Sequence, residues 1–181
     1  MTIFRNARFA LAAVALAIPA LAQAAEGRPG ETYLDAGKAT ASVADAYFAD
    51  YIALDWDGLE PLLAEDASFA DPTAELLFGN PPTEGRAAIM EKFRKGYASI
   101  SQMSFAQDRA IHSGNMALYE GTLSWTLNFA DGNVVSTSMP FVAMIRVEDG
   151  KVVSHRDYGD YANFIEAMRE LRAPGQDSGE G

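Results

Sequence analysis

Between Tyr119 and Tyr158 the chain changes sides at almost every residue, and that pattern limits the fold more than any other feature. Tyr119, Leu123, Trp125, Leu127 and Phe129 fall on one parity, and Glu120, Thr122, Ser124, Thr126 and Asn128 on the other. Period two is the signature of a strand with one covered face. The stretch A-D-G-N then reverses the chain into a second run, Val134–Val147, and V-E-D-G-K reverses it again into Val152–Tyr158. Strands joined by such short turns are antiparallel, and their apolar face needs a cover.

The first half supplies helices for that cover. Val43, Tyr47 and Tyr51 recur every fourth residue with Phe48 and Ile52 beside them, which predicts an amphipathic helix from about Lys38 to Leu54. Asp55 or Asp57 can cap a second, short helix running through Leu63. A strand around Ala67–Ala70 leads to the loop F-G-N-P-P-T-E-G. A third helix, Arg86 to Tyr97, carries Ile89, Phe93 and Tyr97 on one face. A closing helix from Tyr161 to Leu171 repeats Phe164, Ile165, Met168 and Leu171. Helices gathered on one side of an antiparallel sheet make an α+β fold.

The ends read differently. Arg5 and Arg8 precede the apolar run Phe9–Ala22, which the A-x-A pattern Ala22-Gln23-Ala24 follows. This is the layout of a secretory signal over residues 1–24, too short to span a bilayer. The mature chain is therefore expected in the periplasm or outside the cell. A small, polar linker over 25–37 and a disordered tail over 173–181 would bracket one domain at 38–172. The formal charge of −11 becomes −13 once Arg5 and Arg8 are removed. So acidic a surface argues against nucleic acid and, after signal cleavage, against anionic membranes. Without cysteine, and with only His112 and His155, no disulfide is available and a zinc or copper site is not expected.

One residue pair poses the functional question. Asp71-Pro72 ends the run E-D-A-S-F-A-D-P: it is either punctuation at a strand end or a rigidly held base. The block A-Y-F-A-D-Y-I-A-L-D-W-D-G-L-E-P-L-L-A-E-D-A-S-F-A-D-P, Ala46 to Pro72, resembles the start of bacterial ketosteroid isomerases, as does P-T-E-G-R-A-A-I after it. These belong to the nuclear-transport-factor-2-like superfamily, and the resemblance implies a cone-shaped α+β barrel, a curved sheet wrapped around about three helices with a pocket inside. It also places the family's catalytic tyrosine on Tyr47 and its general-base aspartate on Asp71. Near the C-terminus, H-R-D-Y-G-D is similar to the W-R-D-Y-F-D of limonene-epoxide hydrolases and related SnoaL-like polyketide cyclases. There the resemblance gives Asp157 the role of activating water. The chain departs from both patterns. Val142 stands where the isomerases carry a second acid of the oxyanion hole, and the Arg-x-Asp pair of the hydrolases is missing from Tyr119–Ser124.

The residue chemistry yields further expectations. Phe69 and an apolar pocket would raise the pKa of Asp71, and Pro72 would hold its backbone extended. Tyr47 either packs in the core or donates to a developing oxyanion. His155 and Asp157 share a face of the last strand with Val153, so a His–Asp proton shuttle is available. Phe69, Val142, Met139 or Met144, and Trp125 or its neighbours would line the pocket. The leading function is a cofactor-free, metal-free enzyme moving protons at carbon beside a carbonyl or hydroxyl of a small hydrophobic molecule. Isomerase, cyclase, dehydratase and retro-aldol lyase all share that step. The alternatives are a periplasmic binding or assembly protein and an epoxide hydrolase without its Arg-x-Asp pair. The strand face bearing Thr122, Ser124 and Thr126 suits a homodimer through the sheet.

Overall fold

A computed structural model describes residues 29–172 of the 181. The signal over 1–24 and the tail from 173 lie outside the described residues, as does the start of the linker. Five helices and one six-stranded sheet follow one another: α1 Pro29–Ala53, α2 Trp56–Leu59, β1 Leu63–Ala70, α3 Pro72–Phe78, β2 Thr83–Glu84, α4 Arg86–Gly96, β3 Ile100–Ser113, β4 Met116–Asn128, β5 Val134–Glu148, β6 Lys151–Gly159 and α5 Ala162–Arg172. The sheet order is β2-β1-β6-β5-β4-β3, antiparallel throughout except for the β1–β6 pair. The expected α+β fold is borne out. The curved sheet remains open between its two edge strands, β2 and β3.

The three C-terminal strands follow the alternation. Ala117, Tyr119, Leu123 and Trp125 of β4, and Met139, Phe141, Ala143, Ile145 and Val147 of β5, are buried. Asp149 and Gly150 both adopt positive φ (49° and 72°) between the paired residues Glu148 and Lys151. Two such residues form the tight turn whose twist matches its flanking strands.

Helix α1 crosses the concave face and touches β3, β4, β5 and β6. It starts at Pro29, inside the expected linker, well before the anticipated onset at Lys38. Ala44, Tyr47, Phe48 and Tyr51 are its buried stripe. The Phe48 ring stacks on Tyr119 at 4.3 Å and meets Phe105 edge-on at 5.0 Å. None of the helices among the described residues is long and apolar enough to cross a membrane.

Three elements were not anticipated: β3, α3 and the short β2, which lies within the expected loop F-G-N-P-P-T-E-G. Strand β3 escapes a period-two reading because it carries an extra residue. Gln107 pairs with Gly121 and Arg109 with Glu120, so Asp108 is bulged out. The parity therefore flips midway: Met103 and Phe105 pair with the inward Trp125 and Leu123, whereas Ala110 and His112 pair with the inward Tyr119 and Ala117. Helix α3 starts directly at Pro72 and fills the interval between the expected strand and the loop F-G-N-P-P-T-E-G, where no element had been assigned.

Gly121 sits opposite that bulge. A Cβ there would lie 2.2 Å from the Ala106 carbonyl oxygen and 2.8 Å from the Phe105 ring. The obstacle is backbone, so the strands would have to part. Gly121→Ala should cost about 1–3 kcal/mol, read as a lower urea midpoint at an unchanged slope. An unchanged midpoint would mean that β3 does not approach β4 so closely.

Candidate functional site

The site begins with an irregularity in β6. Ile145 pairs with His155 and Arg146 with Ser154, but Val147 pairs with Val152, which leaves Val153 as an extra residue. Val152, His155 and Asp157 are therefore the buried side chains of the strand, with Val153 displaced from the face it was expected to share with His155 and Asp157. His155 is 0 % exposed and Asp157 1 %.

Two polar groups at such depth need partners, because a buried group that loses its hydrogen bond retains the whole desolvation cost. His155 Nε2 lies 2.7 Å from Asp157 Oδ1. Tyr47 and Tyr51, one turn apart on α1, complete the set. The Tyr47 hydroxyl is 3.0 Å from His155 Nδ1, and Tyr51 donates to Asp157 Oδ2 at 2.9 Å. Among the described residues Tyr47 has no other acceptor, so it donates to Nδ1. That leaves Nε2 to carry the ring hydrogen and donate it to Asp157. Tyr51 has spent its single hydrogen, so Tyr97, 2.6 Å away, donates to the Tyr51 oxygen. Phe69, Tyr47 and Tyr51 surround the imidazole edge-on at 4.9–5.4 Å.

Above this network opens a cavity of about 500 Å³. Asp157 and Tyr51 form part of its buried end. Phe69 of β1, Tyr97 of α4, Leu123 and Trp125 of β4, Met139 and Phe141 of β5, and Phe164 of α5 form apolar walls. Asp71, Lys92 and Tyr161 are the polar groups nearer the mouth, where Phe78, Asn80 and Lys95 are exposed.

Asp71 answers the question its sequence posed by being both punctuation and wall. It is the N-cap of α3: its Oδ1 accepts from the Ala74 amide at 2.7 Å and from the Thr73 hydroxyl at 2.6 Å. Its Oδ2 accepts from Tyr161 at 2.6 Å. Pro72 occupies the first helical position, where no amide hydrogen is needed. Three donors thus hold the carboxylate that the sequence offered as a strand-end residue or a rigidly held base.

Phe69, Trp125, Asp71 and Asp157 reach the cavity. Tyr47 and His155 lie beneath it, so the structure separates Tyr47 from Asp71. Val142 and Met144 are on the opposite face of β5 from the buried Phe141, Ala143 and Ile145, and Met139 takes the wall position that had been open to Met139 or Met144. Sequence reasoning missed Tyr51, Tyr97 and Tyr161 as polar groups. The available signal was a phenol at helix positions where phenylalanine would pack as well. Among the described residues no cluster of three or more His, Asp or Glu could hold a metal.

A curved sheet, helices on its concave side and an acid-bearing cavity between them define the nuclear-transport-factor-2-like superfamily. Within it the chain belongs to the SnoaL-like domain family, whose sequence model matches residues 44–155. Several solved structures share the fold. A protein of Shewanella denitrificans OS-217, provisionally described as a SnoaL-like polyketide cyclase, is 14% identical, with a TM-score of 0.64 over 72% of this chain and 97% of that one. TerC, co-crystallised with polyporic acid, is 21% identical, with a TM-score of 0.60 over 72% and 98%. An LEH-like epoxide hydrolase of M. tuberculosis is 16% identical, with a TM-score of 0.58 over 74% and 92%. The chain has no match among the curated proteins.

Burial, then the charge of Asp157, raises the pKa values of Tyr47, Tyr51 and Tyr97. Burial and the bond to Asp71 raise that of Tyr161. These phenols remain donors at working pH. Their folded values exceed the ordinary phenol value near 10, so they contribute stability that is complete below pH 10 and declines as pH rises further. The decline should be about 1.4 kcal/mol per pH unit for each phenol that ionises only on unfolding. In an alkaline titration, most phenolate absorbance should appear together with loss of secondary structure. Its appearance while the fold persists would contradict the buried network. Tyr47→Phe, which strands Nδ1, should lower stability by about 1–3 kcal/mol.

Proposed function

We propose that the protein is a cofactor-free enzyme that moves a proton at carbon beside a carbonyl, with Asp157 as the general base. One observation carries this reading: a 1 % exposed carboxylate ends an apolar cavity with each oxygen fixed by one donor, His155 Nε2 and the Tyr51 hydroxyl. A lone pair remains on each oxygen for an incoming hydrogen. Fixed geometry and exclusion of water are what a carboxylate needs to take a proton from carbon.

On transfer, the C–H bond pair moves into the adjacent C–C bond and the carbonyl π pair moves onto oxygen. Tyr97 and Tyr161 line the same cavity and keep their hydrogens, so they can stabilise the new charge once a hydroxyl turns from its present acceptor. His155 and Tyr47 do not line the cavity. They act as positioning residues that orient Asp157 from below. Return of the proton to another carbon completes an isomerisation; attack of the carbanion on a second carbonyl moves that carbonyl's π pair onto its oxygen, which takes the proton back from Asp157 and completes a cyclisation. Water activation as in an epoxide hydrolase draws less support, because among the described residues no arginine lines the cavity.

The test is deuterium incorporation at the α-carbon across a panel of apolar ketones and aldehydes in heavy water, followed by mass spectrometry. Asp157→Asn should lower exchange by about 10²–10⁴-fold. Asp71→Asn should keep most of it, since asparagine caps a helix as well as aspartate does. Dependence on Asp71 instead, with Asp157→Asn folded and active, would return the base to Asp71. No exchange above buffer would remove the carbon-acid reading.

A further inference from the structure

The cavity is lopsided in charge. At its buried end stands Asp157. On its α4 wall, half exposed, stands Lys92, whose ammonium lies 5.2 Å from the centre of the Phe69 ring. The lysine is positioned by neutral acceptors: Nζ donates to the Pro81 carbonyl at 3.2 Å and to the Thr83 hydroxyl at 3.1 Å. Those bonds occupy two of its three hydrogens. Among the described residues no carboxylate lies within ion-pair distance of it, whereas its neighbour at the mouth, Lys95, is paired with Glu91. Asp71 is close enough to act on Lys92 through space, but its oxygens already accept three hydrogen bonds.

We propose that the cavity selects amphiphilic monoanions, with an apolar body lying along the aromatic walls and a carboxylate received by Lys92. This deepens the function proposed above and rests on the cavity being its ligand site. It also narrows the small hydrophobic substrate expected from sequence to a carbonyl compound that carries an acidic group at its outer end. Partial burial lowers the lysine's pKa, an effect opposed by Asp71 and Glu75, so an anion seated there would offset a desolvation already incurred. The acidic chain as a whole repels anions. A cation held at the mouth by uncharged groups is therefore a local exception with a direction.

Calorimetric titration of the full chain with 2-naphthylacetate and its uncharged isostere 2-naphthylacetamide tests the proposal without requiring turnover. The wild-type protein should bind the acid about tenfold more tightly than the amide, a difference of about 1.4 kcal/mol. Lys92→Gln should erase that preference by weakening the acid more than the amide, and Lys92→Arg should retain most of it. Equal binding of the two probes, or a preference that survives Lys92→Gln, would overturn this proposal alone. If neither probe binds, it falls together with the cavity as a site for apolar ligands. Deuterium exchange on ketones that depends on Asp157, combined with equal binding of acid and amide, would preserve the base and discard the anion selectivity.

Discussion

The hydrogen bond between His155 and Asp157 is the constraint around which the rest is arranged. An imidazole and a carboxylate, two residues apart on one strand and both out of water, are unfavourable unless every donor and acceptor is met. The sheet cannot meet them, since its backbone groups are committed to its own ladder. Partners must come from the element laid across it. Tyr47 and Tyr51 present two hydroxyls one helical turn apart, and β6 presents two acceptors one inward step apart. A helix rises 1.5 Å per residue and a strand about 3.3 Å, so four residues of one nearly match two of the other. That coincidence sets how far along the strand α1 can sit.

Two consequences reach the cavity. With α1 held at this depth, Phe48 stacks on Tyr119 and closes that part of the concave face, so the open volume lies farther along the sheet, against Leu123 and Trp125 and between α3, α4 and α5. Asp157 also becomes an acceptor that no surface water can solvate freely, facing walls of phenylalanine, tryptophan and methionine. An apolar site with one fixed carboxylate gives substrates little generic attraction, so orientation falls to the few polar groups near the mouth. Lys92 is the cation among them whose nearest partners are neutral.

Much of the architecture was legible because it rests on repeats. The alternation through β4 and β5, the Asp-Gly turn before β6 and the four-residue stripe of α1 are each local patterns with a single reading. Where a residue interrupts the repeat, the reading fails. Asp108 hides β3, and Val153 shifts the parity of β6. In the second case His155 and Asp157 share one face as expected, but Val153 does not join them. Helix α3 illustrates a different failure. Asp71 at the cap, Pro72 at the first position and Gly79 at the end are helix signals in their own right, but a seven-residue element offered too little periodicity to outweigh the reading of a strand end followed by a loop.

The sequence by itself determined the α+β class, through period along one chain, and the family, through the likeness of Ala46–Pro72 and His155–Asp160 to known motifs. Only the tertiary structure decided which acid is bound as a cap and which stands at the buried end of the cavity. It also decided that Tyr47 lies beneath the site while Tyr97 and Tyr161 face it, and that Val142 and Met144 point away. Each of those outcomes depends on donors supplied from elsewhere: Tyr161 is ninety residues from Asp71, and Tyr51 is over a hundred from Asp157. No local pattern records which distant hydroxyl a carboxylate will find. That is settled only when the helices close over the sheet.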